Sequence, residues 1–309
     1  MRASALSRDP IIEPVSEAST TVSIERPAVY IVATPIGNLG DLSARAVEVL
    51  SAVDIILCED TRHSRRLLDH YAIARPLAAL HEHNEAEGAR VHLERMRERR
   101  HACALISDAG TPLISDPGFV LVRAAHAAAV PVFAIPGACA AIAALSIAGV
   151  PCQRFAYEGF LPSQAAARAR ALQALAREPR TLVFYEAPHR IAAVLAAMRD
   201  SFGANREAAV GRELTKRYES LYRGTLGELS RRIGEDAQLA RGEFVIVVAG
   251  APARMSDDAE LERIVAIVRA HADLRTAVRV ASALTGAPRN RVYEVALRTA
   301  SCDNDPIES

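Results

Sequence analysis

The stretch Leu105-Ile-Ser-Asp-Ala-Gly-Thr-Pro-Leu-Ile-Ser-Asp-Pro-Gly118 decides the class of fold. The apolar run 102–106 predicts a buried strand, and two tight turns that carry aspartates follow it at once. A helical pattern then begins at Phe119. A strand, a Gly/Pro-rich loop and a helix in this order place backbone N–H groups and carboxylates at the carboxyl edge of an α/β sheet, where ligands bind.

The two aspartates of this loop indicate the kind of ligand. A loop that cradles a phosphate avoids additional negative charge, whereas this one carries Asp108 and Asp116. The pattern therefore favours a ligand that has a cationic group and ribose hydroxyls.

Length and composition predict a globular protein with enough apolar residues for two domains. The chain has 309 residues, of which 50% are hydrophobic and 24% charged. No apolar run approaches the roughly 18 residues of a membrane span, so no membrane association is expected. Residues 1–27 are polar and predict a disordered extension. The five cysteines form no C-x-x-C pair, which favours reduced thiols and a cytoplasmic protein.

Basic residues are distributed unusually. The formal net charge is zero, and Lys216 is the only lysine among 37 basic side chains. The arginines cluster in four places, which are either solvated helix faces or surfaces for a phosphate backbone. These clusters are Arg62-Arg65-Arg66, residues 95–100, residues 206–223 and residues 275–298.

Strand and helix patterns alternate along the chain, which predicts a mainly parallel sheet in the first half and a mixed sheet in the second. We expect two α/β domains with a cofactor cleft between them, plus a small helical C-terminal module. Their predicted limits are 28–150, 151–250 and 257–300. The first helix is expected to begin after an Asp41 N-cap and the second at Ser64. The module carries Tyr293 and several arginines, a pattern that fits docking to RNA.

The sequence argues against two alternative interpretations, a nicotinamide dehydrogenase and a metal site. The first loop, 34–41, lacks the G-x-G-x-x-G fingerprint, which argues against a nicotinamide dehydrogenase. The segment His81-Glu-His-Asn-Glu85 has metal-ligand residue types but no third spaced histidine. We therefore expect no metal.

Seven loops follow predicted strands, and together they resemble one enzyme family. The chain is similar to the bacterial 16S ribosomal RNA 2′-O-ribose methyltransferases of the tetrapyrrole-methylase-like superfamily. The resemblance covers about residues 28–250, with weaker similarity to about residue 300. The loops that carry it are T-P-I-G-N-L-G-D at 34–41, E-D-T-R-H at 59–63, the quoted stretch at 105–118, P-G-A-C-A at 136–140, Y-E-G-F-L-P at 157–162, F-Y-E-A-P-H-R at 184–190 and G-R-E-L-T-K at 211–216.

The resemblance implies S-adenosylmethionine as cofactor, bound between the two domains. Matching the motifs residue by residue implies that Glu186 lies where the second domain covers the adenine. The other implied cofactor-binding residues are Pro35, Ala109, Gly110, Thr111, Ile114, Cys139 and Ala140. The tetrapyrrole enzymes have G-D-P where this chain has Gly110-Thr-Pro112. The acid is therefore displaced to Asp108 or Asp116, and this departure argues against a tetrapyrrole substrate.

The same resemblance implies methylation of the ribose of cytidine 1402 in 16S rRNA of the small ribosomal subunit, by a homodimer. A small-molecule methyltransferase of the superfamily and a non-catalytic RNA-binding relative are the alternatives. A ribose 2′-hydroxyl is a poor nucleophile until a base takes its proton or a cation stabilises its anion. We predict Glu213 and Lys216 as the catalytic pair; Glu186, His63 and Asp60 are the other candidates.

Overall fold

The computed structural model describes residues 23–81, 84–236, 238–252 and 258–302. Most of the predicted extension 1–27 lies outside these residues, as do Glu82 and His83 of the possible metal motif and the first residue of the predicted module, Asp257. The described chain forms two compact units. The first runs to Ala143 and also contains Glu213–Ser220; the second contains Ala144–Arg212 and the residues from Leu221 onward.

The first unit is built on a five-stranded sheet in which every pair of neighbouring strands is parallel, as predicted. The strand order is β3-β2-β4-β1-β5. All five residues of β4 are buried, which explains its uninterrupted apolar sequence. The strands are β1 Ala28–Val32, β2 Ile55–Cys58, β3 Leu77–Ala79, β4 Ala102–Ile106 and β5 Val132–Ile135.

Helices follow these strands, and two begin where the sequence did not predict. The first helix starts at Ala44, because Ser43 caps it by accepting from the backbone N–H of Ala46. The predicted N-cap, Asp41, instead ends a short 3-10 helix. The second helix starts at Thr61 rather than Ser64, because Asp60 caps it. The helices are α1 Ala44–Ala52, α2 Thr61–His70, α3 Glu85–Arg99, α4 Phe119–Ala127 and α5 Ala140–Ala148.

The second unit contains a mixed sheet, also as predicted. Its order is β6-β7-β10-β8-β9, with β6 parallel to β7 and β10 antiparallel to both of its neighbours. The strands are β6 Phe155–Phe160, β7 Thr181–Glu186, β8 Glu207–Arg212, β9 Ser220–Thr225 and β10 Phe244–Val248. Helices α6 Ala165–Leu175, α7 Ile191–Phe202 and α8 Leu226–Glu235 accompany them.

Three further helices form the C-terminal part: α9 Asp258–Arg269, α10 Leu274–Thr285 and α11 Arg289–Cys302. They share a small core of their own, centred on Leu261, Val265, Ala281 and Val292. Asp273 caps α10, and Gly286 ends it in the left-handed conformation. Among the helices of the described residues, none combines the length and apolar character needed to cross a bilayer.

Candidate functional site in the first unit

Two loops of the first unit are hydrogen-bonded to each other at the carboxyl edge of the sheet. Thr34, which follows β1, and Gly110, which follows β4, exchange both backbone hydrogen bonds, at 2.8 and 3.1 Å. The buried Thr34 hydroxyl also donates to the carbonyl of Ser107 at 3.1 Å. Buried hydroxyls need such partners. Neither Thr34 nor Ser107 was among the predicted site residues, although a polar residue directly after a buried strand is a detectable signal.

Gly110 is required by the conformation of its own loop. Its φ is +86°, a region that glycine adopts without steric cost. An added Cβ would stand 3.2 Å from Cγ2 of Ile36 and 3.6 Å from the Ala138 carbonyl oxygen. Leu113 and Ser115 are also left-handed, which is costly for residues with a side chain. A larger residue at Gly110 would therefore disturb the loop as well as any ligand.

A third loop, which follows β5, joins the other two. The Thr111 hydroxyl donates to the Ala138 carbonyl at 3.0 Å. An added Cβ at Gly137 would lie 2.9 Å from Cβ of Ala33, so the backbones approach closely there. All nine predicted cofactor-binding residues of this unit thus follow strands at one edge of one sheet: Pro35, Asp108, Ala109, Gly110, Thr111, Ile114, Asp116, Cys139 and Ala140.

Carboxylates concentrate beside these loops. Burial, together with the charges of Glu59 and Asp108, raises the pKa of Asp116 to about 7. Asp108 accepts from the backbone N–H of Asp60 at 3.4 Å. A cation placed among these groups would be attracted and would favour the ionised form of Asp116. The two aspartates lie in one electrostatic field, so both remain candidates for contact with a cationic ligand.

The raised pKa of Asp116 predicts a pH-dependent stability. The carboxyl keeps its proton in the folded chain up to about pH 7, whereas its ordinary pKa is 3.8. Stability therefore falls as the pH rises between these values, because the unfolded chain releases the proton first. We expect Asp116→Asn to raise the Tm at pH 8 and to change it little at pH 4. Thermal unfolding at both pH values measures this, with Asp69→Asn, at an exposed aspartate, as the control. Equal shifts for Asp116→Asn at both pH values would contradict the prediction.

Asp60 has a structural role that accounts for its carboxylate. One oxygen accepts from the backbone N–H groups of Arg62, at 2.7 Å, and His63, at 3.3 Å. These bonds lower the pKa of Asp60. A helix-capping carboxylate of this kind is a weak base, so the structure disfavours Asp60 as the proton acceptor. His63 is exposed on the first turn of α2.

Glu213 and Lys216 form an ion pair in the segment that belongs to the first unit. The ammonium nitrogen of Lys216 lies 2.9 Å from Oε1 of Glu213. Glu213 and Thr215 are left-handed, and the Thr215 N–H donates to the carboxylate of Glu219. Strained residues of this kind often occur at functional sites.

The stem of Lys216 crosses Gly37 of the first loop. A Cβ built on Gly37 would lie 2.3 Å from Cγ and 3.0 Å from Cε of Lys216. The absence of a side chain at Gly37 therefore makes room for the lysine. The two predicted catalytic residues thus lie in the same unit as the three loops, and Lys216 contacts one of them.

Glu186 belongs to the second unit, at the end of β7. Its Oε1 accepts from the N–H of Ala187 at 2.8 Å and lies 3.2 Å from Nε of Arg190. Its Oε2 is buried and has no hydrogen-bond partner in the part of the chain that the structure describes. An unsatisfied buried carboxylate oxygen is costly, which makes Glu186 a candidate to bind a donor group of a ligand.

The segment 81–85 has structural roles where it is described. Oε1 of Glu85 accepts from the backbone N–H groups of Gly118 and Val120, both at 2.8 Å, and so caps α4. Oδ1 of Asn84 accepts from the N–H of His81. No group of three metal-ligand side chains is found within the described ranges.

Several arginines of the predicted clusters also have local partners. Arg291 and Arg298 both bind Asp258, at 3.1 and 2.6 Å. Arg206 donates to the carbonyls of Ala249 and Ala176. These side chains stabilise their own helices and loops, so only part of the clusters 206–223 and 275–298 remains available for an external phosphate.

Comparison with known proteins identifies the family to which this chain belongs. The chain belongs to the tetrapyrrole (corrin/porphyrin) methylase family, whose model matches residues 28–230. A second family model, the RsmI C-terminal HTH domain, matches residues 255–300. The similar curated proteins include the Ribosomal RNA small subunit methyltransferase I of Pseudomonas aeruginosa, which is 49% identical over 87% of this chain and 96% of the relative. The protein of the same name from Xylella fastidiosa is 51% identical over 85% of this chain and 97% of the relative.

Solved structures agree on the fold. The crystal structure of uroporphyrin-III-C-methyltransferase from Thermus thermophilus matches with a TM-score of 0.52 and 22% identity, over 73% of this chain and 96% of that one. A conserved hypothetical protein from Aeropyrum pernix K1 matches with a TM-score of 0.57 and 17% identity, over 92% and 100% of the two chains. The predicted α/β fold of the tetrapyrrole methylase type is confirmed.

Proposed function

We propose that this protein transfers a methyl group from S-adenosylmethionine to the 2′-hydroxyl of cytidine 1402 in 16S rRNA of the small ribosomal subunit, in the cytoplasm and as a homodimer. The observation that carries this proposal is the near full-length similarity to proteins named Ribosomal RNA small subunit methyltransferase I. The proposal is also supported by the hydrogen-bonded loops after β1, β4 and β5 of the first unit, to which it assigns the cofactor. The sequence Gly110-Thr-Pro112, in place of G-D-P, argues against a tetrapyrrole substrate.

The cofactor-binding part of the proposal assigns a role to the loop carboxylates. S-adenosylmethionine carries a sulfonium and an ammonium group and supplies the electrophilic methyl carbon. Asp108 and Asp116 would attract these positive charges, and a bound cation would in turn favour the ionised form of Asp116, whose pKa burial and the neighbouring carboxylates raise. The close approaches at Gly110 and Gly137 hold together the loops that carry Ala109, Thr111, Cys139 and Ala140, and the proposal assigns the nucleoside to these four residues.

The catalytic part assigns roles to Glu213 and Lys216. Methyl transfer breaks a carbon–sulfur bond, forms a carbon–oxygen bond and releases the proton of the hydroxyl. The ammonium of Lys216 would stabilise negative charge on the 2′-oxygen, and the carboxylate of Glu213 would orient the lysine or take the proton. Because the sulfonium is already a good leaving group, alignment of the three reacting atoms supplies much of the rate.

The proposal is tested by incubating the purified protein with labelled S-adenosylmethionine and small subunits that lack this methyl group. Nucleoside mass spectrometry of the digested rRNA should find one methylated cytidine ribose. Methylation of a tetrapyrrole alone would identify a small-molecule enzyme. Cofactor binding without any product on RNA would overturn the proposed activity.

The helices α9–α11 are expected to serve RNA docking. A protein that ends at Pro252 should bind S-adenosylmethionine within about twofold of the parent, because these helices have their own core. The cut retains the hydrogen bond from the Ala251 N–H to the Glu178 carbonyl.

The same truncation should weaken rRNA methylation at least ~10-fold, because it removes the exposed Arg275, Arg279 and Arg289 and with them contacts that release counterions from the RNA. Calorimetry and methylation assays at several salt concentrations measure the two effects. Full activity with an unchanged salt response would show that the module does not dock RNA.

A further inference from the structure

Helix α2 carries a cationic face that is unfavourable for the helix itself. Arg62 and Arg66 are four residues apart, so they share one side of the helix, and both are exposed. Like charges at this spacing destabilise a helix. Arg62 also lies in the first turn, where the helix dipole disfavours positive charge. The Asp60 carboxylate offsets part of this cost at Arg62, and the remaining cost indicates that the two arginines serve something outside the fold.

Several arginines elsewhere in the chain are paired within it. Arg90 lies between Glu87 and Glu94, at 2.7 and 2.8 Å. Arg180 binds Glu178 at 2.7 Å. Within the ranges that the structure describes, Arg62 and Arg66 have no ion pair, although the exposed Asp69 lies three residues beyond Arg66. Their guanidinium groups remain available to an external anion.

The cationic face begins beside the candidate cofactor loops. Asp60, the N-cap of α2, donates its backbone N–H to Asp108 at 3.4 Å. Arg62 is two residues further along the helix. Glu59, Asp60, Asp108 and Asp116 form a negative region on the loop side, and Arg62 and Arg66 form a positive region along the helix. A cationic ligand could therefore bind at the negative loop region, and a polyanion could bind at the adjacent positive face of α2.

We infer that Arg62 and Arg66 bind phosphates of the single-stranded RNA that flanks the methylated ribose. This inference rests on the proposed function, since it assigns the path of the substrate past the same site. A guanidinium matches a phosphate with two parallel hydrogen bonds and keeps its charge at all relevant pH values. Contacts to the backbone position the RNA without reading its bases.

The test uses the full chain with Arg62→Gln and Arg66→Gln together, and a fluorescent rRNA fragment that spans the target cytidine. We expect RNA affinity to fall at least ~10-fold and the slope of log K against log salt to decrease in magnitude by about 1.4 for two lost phosphate contacts. Affinity for S-adenosylmethionine should be unchanged. The matched control is Arg95→Gln with Arg99→Gln, which removes two exposed arginines at the same spacing from α3.

The outcomes separate this inference from the proposed function. If the parent does not methylate rRNA, the proposed function fails. If the parent methylates but the α2 variant binds RNA with the affinity and salt slope of the α3 control, the inference alone fails. A change of oligomeric state by light scattering in the α2 variant would identify this face as a protein interface and also overturn it. Arg62→Lys with Arg66→Lys should retain most of the salt slope, because the charges remain.

Discussion

A Lys216→Arg variant is expected to methylate small subunits at least about tenfold more slowly in a single turnover, a loss of about 1.4 kcal/mol of transition-state stabilisation. Lysine presents a compact ammonium, which is held here 2.9 Å from Glu213. Arginine presents a wide, planar group that cannot lose a proton. The stem of residue 216 passes over Gly37, so the longer arginine would carry its terminal nitrogens beyond the position that the ammonium occupies beside Glu213.

The measurement is a single-turnover assay at saturating enzyme, together with calorimetric titration of S-adenosylmethionine. Cofactor affinity should stay within about twofold of the parent, because Lys216 is assigned to the substrate oxygen rather than to the cofactor. Lys216→Met, which keeps an apolar stem, should be at least as slow as the arginine variant. If Lys216→Arg reacts at the parental rate, the solitary lysine has no catalytic role.

A Gly37→Val variant is expected to lose turnover by a similar factor without any change in a charged group. The new Cβ would stand 2.3 Å from Cγ of Lys216, a distance that side chains do not tolerate, so the lysine must leave its place. The ammonium would then leave its position beside Glu213. The rate would lose the contribution that comes from aligning this charge with the reacting oxygen.

The control for this variant is Gly234→Ala, because an added Cβ at Gly234 meets nothing within 4 Å. Thermal unfolding and cofactor titration establish that the fold and the cofactor site survive. The combined Gly37→Val and Lys216→Arg variant should be little slower than either single variant, because both changes remove the same interaction. Additive losses in the double variant would mean that Gly37 acts on the rate by a route that does not involve Lys216.

Local pattern was sufficient for much of the fold. The run Ala102–Ile106 is apolar throughout because both faces of β4 are covered, and its strand bounds were predicted correctly. The parallel first sheet and the mixed second sheet follow from the spacing of strands and helices. Helix α8 was missed, although its capping box, Thr225 with Glu228, is visible in the sequence.

For other features the sequence contained a signal, but the residue type alone was misleading about its role. Asp41 and Ser43 are both capping residue types, and only the extended backbone of Leu42 between them decides that Ser43 caps α1. Asp60 was weighed as a base because it follows a strand in a polar loop. Its two hydrogen bonds from backbone N–H groups of α2 show that it is a cap.

The sequence alone determined the family, which loop follows each strand along the chain, and the residue types at the candidate site. Long motifs and hydrophobic periodicity are properties of the chain itself. Tertiary structure alone decided that Lys216 lies across Gly37 and that Thr34 joins Gly110, because these contacts link residues far apart in sequence. It also decided which arginines are paired with carboxylates, as Arg298 is with Asp258, and which, like Arg62, are not paired within the described ranges. An ion pair depends on which carboxylate the folded chain brings within about 4 Å, and the order of residues does not contain that distance.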